Sequence, residues 1–112
     1  MDVSNGNQAK EIEQEKYVIA VNKPLFKLGQ VVATPGAIEA LERAKQTPWS
    51  LLSRHVAGDW GEVNTEDRQA NEQSLLRELR LLSVYTMSNG TKFWIITEAD
   101  RSSTCCLLPT EY

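Results

Sequence analysis

The only histidine in the chain, His55, stands four residues ahead of Asp59 in "RHVAGDWGEV", residues 54–63. An imidazole suits proton transfer near neutral pH, and a nearby carboxylate would orient it, so the pair has the makings of a general acid or base. A second group lies in "TEADRS", residues 97–102, where Glu98, Asp100 and Arg101 offer two carboxylates and a cation. Two carboxylates at this spacing could hold a divalent cation, and the arginine an anion. Were His55, Asp59, Glu98, Asp100 and Arg101 to converge, they would suit a small metal-dependent hydrolase or nuclease.

Each group also has a plainer reading. His55 falls in the last turn of a helix, where its charge and donors suit the exposed carbonyls; Gly58 then caps the helix and Trp60 packs the turn onto the body. "TEADRS" reads as a tight turn in which Asp100 and Ser102 accept backbone hydrogen bonds and Arg101 pairs locally. The two cysteines, Cys105 and Cys106, are adjacent, which disfavours a disulfide between them and leaves one distant histidine as the sole further soft ligand for zinc. They read as reduced core thiols. No catalytic residue, metal or cofactor is therefore assigned outright.

The elements that must position these residues are better marked. Residues 1–15 are polar without a hydrophobic period and predict a disordered tail, followed by a single domain over residues 16–112. "KYVIAVN" and "GQVVAT" are short β-branched runs that predict two strands. In "TPGAIEALERAK", Thr34 as cap, Pro35 at the first position and apolar residues at helical spacing predict a helix; "TPWSLLSRHVAG" repeats the device with Thr47 and Pro48. A third helix is expected after Asn64 or Thr65, led by Glu66 and Asp67, and ending near Leu79.

Asn89-Gly90 then predicts a two-residue hairpin turn with Tyr85 opposite Trp94 and Val84 opposite Ile95. A turn at Asp100-Arg101 would set Ile95 opposite Cys106 and Trp94 opposite Leu107. One face of this meander would carry Leu82, Val84, Phe93, Ile95, Cys106 and Leu108, the other Tyr85, Trp94, Ile96, Cys105 and Leu107. Both are apolar, so helices cover one face and N-terminal strands or a second subunit the other. The fold class expected is α+β, an antiparallel β-meander with N-terminal strands packed against two or three helices.

The pieces "LGQVVATPGAIEALERA", "LLSRHVAGDWGEV" and "GTKFWIITEADRSSTCCLLPTEY" resemble, in that order, a family of small bacterial proteins encoded on plasmids and other mobile elements. Its members carry labels such as plasmid-related protein or type I restriction endonuclease subunit M-like. The resemblance spans about residues 25–112 and implies a common fold and a mobile-element setting, with no catalytic residues to carry over. Methyl transfer itself is excluded by the residues. A glycine-rich cofactor loop and a polar-Pro-Pro-aromatic motif for a flipped base are both missing, since Pro24, Pro35, Pro48 and Pro109 are isolated.

Charge narrows the partners. A formal net charge of −3 disfavours nucleic acid as a ligand. A local basic set, Lys23, Lys27, Arg43, Lys45 and Arg54, keeps a weaker nucleic-acid reading open. No apolar run reaches the ~18 residues of a membrane span and the N-terminus is polar, which predicts a cytoplasmic protein. The aromatics Trp49, Trp60, Tyr85, Phe93 and Trp94 read as core or subunit interface. The sequence thus points to a small non-catalytic binding or regulatory module of a mobile element. Its partner would be a second copy in a homodimer, or another protein, with Tyr85, Trp94 and Ile96 at the interface.

Overall fold

The computed structural model describes residues 10–11 and 24–112. Among these the elements run β1 (Lys10–Glu11), β2 (Gln30–Ala33), α1 (Pro35–Ala44), α2 (Pro48–Val56), α3 (Thr65–Arg77), β3 (Leu81–Thr86), β4 (Lys92–Thr97) and β5 (Ser103–Leu107), closed by a 3₁₀ turn at Pro109–Glu111. The fold is α+β, as the order of periodic runs predicts. The strand expected over "KYVIAVN" lies outside the described residues. Lys10–Glu11, within the stretch expected to be a polar tail, pairs antiparallel with β2.

The helix signals act as their chemistry requires. Thr34 is extended and its Oγ1 accepts the Ala37 N–H at 3.1 Å, with Pro35 following at the first helical position. Thr47 takes the same place before Pro48 but makes no side-chain cap bond. At the other end of α2, the Gly58 N–H reaches His55 O and the Asp59 N–H reaches Arg54 O, the paired bonds of a Schellman ending with Gly58 at φ +86°. α3 is capped by Asn64, whose Oδ1 accepts the Asp67 N–H at 2.7 Å, and ends at Arg77 before a left-handed Glu78, two residues short of the expected Leu79.

The sheet order is β1-β2-β5-β4-β3. β2 and β5 are parallel and the other pairs antiparallel, so the sheet is mixed rather than a pure meander. The β4-β5 register follows the expectation, with Ile95 opposite Cys106 and Trp94 opposite Leu107. The β3-β4 register does not: Val84 lies opposite Trp94 and Tyr85 opposite Phe93. The cause is loop length. Met87 N–H bonds Thr91 O and Gly90 N–H bonds Met87 O, enclosing three residues, Ser88 to Gly90, with Gly90 at φ +88°. One extra loop residue moves every β3 side chain to the opposite face.

One face therefore carries Leu81, Ser83, Tyr85, Phe93, Ile95, Thr97, Thr104, Cys106, Val31 and Ala33, all buried. α1 covers it with Ala37, Ala40, Leu41 and Ala44, and α2 with Trp49, Leu51, Leu52 and Val56. The small side chains of α1 let that helix lie close to the sheet. The other face carries Leu82, Val84, Trp94, Ile96, Cys105 and Leu107.

The outer edge of β3 is closed by two substitutes for a strand. Val84 N–H donates to Trp60 O at 3.0 Å and Val84 O accepts the Glu62 N–H at 2.6 Å, so Gly61 lies against Val84 as a parallel bridge. Leu82 N–H donates to Asn71 Oδ1 at 3.1 Å, and Leu82 O accepts from Asn71 Nδ2 at 2.7 Å. Unpaired edge groups invite aggregation, and here they are consumed.

Gly61 sits at φ +72°, and a Cβ there would fall 2.0 Å from Val84 O. Gly90 has a similar φ but nothing within 4 Å. Gly90→Ala should cost about 1–2 kcal/mol from backbone conformation alone. Gly61→Ala should cost more than Gly90→Ala, because the bridge to β3 must also part. Urea denaturation of the two variants checks this, and equal losses would contradict the close approach.

Candidate functional site

His55 projects from the last turn of α2 into the sheet and is fully buried. Its Nδ1 lies 2.6 Å from Ser83 Oγ on β3 and its Nε2 2.9 Å from Thr97 Oγ1 on β4. Thr97 Oγ1 is 2.7 Å from Thr104 Oγ1 on β5, which donates to Leu28 O at 2.7 Å. Phe26 and Trp60 close the ring in edge-on, with centroids 5.1 and 5.8 Å away. Trp60, itself fully buried, donates its indole N–H to Glu72 at 2.9 Å.

The direction of this chain of bonds is fixed by proton counting. A carbonyl only accepts, so Thr104 spends its single hydroxyl hydrogen on Leu28. Thr97 must then donate to Thr104 and accept from His55 Nε2–H. Because burial keeps the ring neutral, Nδ1 is then bare and Ser83 donates to it. His55 is therefore the neutral Nε2–H tautomer. Burial, and secondarily the charge of Arg101, lowers its pKa from 6.5 to about 3. Both ring nitrogens are occupied by hydroxyls.

Asp59 does not join it. Its Oδ2 accepts from Arg54 Nε at 2.7 Å and its Oδ1 from the Gly61 N–H at 3.1 Å, on the surface. The Arg54 bond holds the carboxyl below its usual range. Arg54 in turn lies over the Tyr85 ring, 4.5 Å from its centroid. The residue that orients His55 is thus Ser83 on one side and Thr97 on the other, and not the carboxylate four positions along.

Glu98, Asp100 and Arg101 form the turn between β4 and β5. Asp100 Oδ1 accepts the Ser102 N–H at 3.0 Å, and bonding from Ser102 lowers its pKa. Arg101 reaches away from both carboxylates. Its Nη1 donates to Leu79 O at 2.6 Å and to Glu98 O and Ala99 O, while Nη2 donates to Ser74 O at 2.9 Å. The guanidinium thus caps the carbonyl end of α3 and lies 5.8 Å from the Phe26 ring centroid, with Phe26 on His55 in turn. Arg101 and His55 are neighbours through Phe26, whereas Asp59, Glu98 and Asp100 are exposed. Among the described residues no three His, Cys, Asp or Glu side chains gather as a metal would require.

The three residues expected at an interface divide between the two faces. Tyr85 is buried in the core, where its hydroxyl donates to Asp59 O at 2.6 Å and burial raises its pKa. Trp94 and Ile96 share the other face, Ile96 buried and Trp94 half-buried against Tyr112, with ring centroids 5.4 Å apart. The Tyr112 hydroxyl is bonded by Arg80. Of the basic set, Lys23 lies outside the described residues. Lys27 and Lys45 are exposed, and Arg43 and Arg54 are paired with Glu39 and Asp59. Cys105 and Cys106 are both free thiols, Cys106 fully buried.

Sequence reasoning missed Ser83, Thr97 and Thr104. The available signal was the β4-β5 register, which puts Thr97 opposite Thr104 beside an otherwise apolar run. The pH response follows from the histidine. Above pH 6.5 neither folded nor unfolded His55 is protonated. As pH falls through 6.5 the unfolded chain takes up a proton that the folded one refuses until about 3, so stability drops across that window. Between pH 7 and 5 the loss should be about 2 kcal/mol in urea denaturation. The low carboxyl pKa of Asp59 acts below about pH 4 and leaves this interval alone. In His55→Gln the slope should vanish; a wild type equally stable at pH 7 and 5 would refute a neutral buried imidazole.

No family model matches the chain, and no curated protein or solved structure matches it either.

Proposed function

We propose that the protein is a small non-catalytic binding module of a bacterial plasmid or other mobile element, acting in the cytoplasm through protein contacts, with self-association as a homodimer its first mode. The observation that carries this reading is the contrast between the two sheet faces. The His55 face is sealed and its polar groups are satisfied internally. The other face presents Leu82, Val84, Trp94 and Cys105 half-covered, with Tyr112 67% exposed beside Arg80. An aromatic pair next to an arginine on an apolar sheet surface is the composition of protein interfaces.

The reading is further supported by what the polar residues do. His55, Arg101 and Asp59 each bond structural partners: Ser83 and Thr97, the Ser74 and Leu79 carbonyls, and Arg54 with Gly61. No helix of the described residues is long and apolar enough to cross a membrane. The mobile-element setting rests on the motif resemblance of residues 25–112.

With Tyr85 in the core, the interface reduces to Trp94, Tyr112 and their surroundings. The test is sedimentation equilibrium of wild type against Trp94→Asp and Tyr112→Ala. The wild type should associate with concentration, and both variants should shift to monomer by at least about tenfold in Kd while keeping a wild-type circular dichroism spectrum. A wild type that stays monomeric, or variants that associate unchanged, would remove self-association through this face.

A further inference from the structure

α3 differs from the other helices in what holds it. α1 buries four apolar side chains and α2 buries Trp49, Leu51, Leu52 and Val56 beside His55, whereas the buried side chains of α3 are the polar Asn71 and Ser74. Leu76, in its last turn, is 87% exposed. Among the described residues, α3 is tied to the body by a set of hydrogen bonds: Asn71 with the Leu82 backbone, Glu72 with Trp60, and Ser74 O with Arg101. Bonds of this kind are exchanged for bonds to water with little net loss, while buried apolar area is not.

The Asn71 contact has a specific meaning. Its amide both donates to Leu82 O and accepts from Leu82 N–H, the two-way exchange that a residue of a neighbouring antiparallel strand would make. It stands in for a strand. The other edge substitute, at Val84, hangs on the backbone flanking Gly61, and that segment is anchored by the fully buried Trp60. The two halves of the β3 edge are thus held by means of different strength.

We propose that α3 is a detachable guard of the β3 edge. It opens as a unit, from Asn64 to Glu78, and releases the Leu82 N–H and C=O while the Val84 bridge, the sheet and the first two helices stay folded. The freed groups are one donor and one acceptor in strand register, which an extended peptide backbone satisfies. Arg101 sets the latch, because its Nη1 holds Leu79 O and its Nη2 holds Ser74 O across the hinge that joins α3 to β3.

Native-state hydrogen exchange of the full chain, read residue by residue by NMR, tests this. Amides of residues 68–77 and the Leu82 amide should exchange together, with protection about 100-fold or more below that of Phe93 and Ile95 in β4. Asn71→Ala should speed the Leu82 amide and the α3 amides by about tenfold and leave Phe93 and Ile95 unchanged. Protection of α3 equal to that of Ile95 overturns the proposal, as does a Leu82 amide that stays protected while α3 exchanges. The wild-type measurement decides the matter even if the variant fails to fold.

Discussion

The structure depends on one buried line of hydrogen bonds, from Ser83 through His55, Thr97 and Thr104 to the Leu28 carbonyl. It joins the end of α2 to β3, β4 and β5 and to the segment that leads into β2. An apolar contact in the same place would tolerate sliding, whereas each bond here has one partner and one direction. Because the surroundings are dry, an unmade bond would leave a buried polar atom at a cost of about 1–3 kcal/mol. The line therefore fixes where α2 lies along the sheet and how the central strands are aligned under it.

The other polar side chains that invite a chemical reading serve the same end at the periphery. The Asp59 carbonyl accepts from Tyr85 and the Asp59 carboxylate pins Gly61, so the turn after α2 is bound to β3 from two sides. Arg101, left-handed at φ +61°, brings its guanidinium to Ser74 O and Leu79 O at the carbonyl end of α3. Glu111 performs the matching service at the start of α1: its Oε1 accepts from Thr34 Oγ1 at 2.6 Å and from Leu108 N–H at 2.8 Å, bringing carboxylate charge to a helix N-terminus. Helix ends, which expose groups the helix cannot satisfy, are where Arg101 and Glu111 act.

What the sequence disclosed follows the range of the physics. Thr34-Pro35, Asn64 and Gly58 act within one turn of themselves, so the starts of α1 and α3 and the end of α2 were legible, whereas the end of α3, which has no such signal, was not. The turn around Asp100-Arg101 was legible for the same reason. The Asn89-Gly90 hairpin was recognised but its length was not, since Asn-Gly serves both a two-residue loop and the last positions of a three-residue one. From that single residue came the misplacement of Tyr85 and the false trio with Trp94 and Ile96. The Asn71 contact and the reach of Arg101 to Ser74 depend on distant segments meeting, for which no local pattern stands.

The histidine accounts for the register that the turn residues leave open. With a two-residue turn, Val84 and Leu82 would face α2, Ser83 would face away, and His55 Nδ1 would be buried against aliphatic carbon with no donor. The Tyr85 hydroxyl would leave Asp59 O as well. Leaving two polar groups unpaired in the core would cost about 1–3 kcal/mol each, which weighs against the shorter loop. Placing Ser83 beneath the imidazole satisfies both at once and sends Leu82 and Val84 to the half-covered face beside Trp94. The residue that looked like a catalyst thus decides which β3 side chains lie in the core and which on the half-covered face.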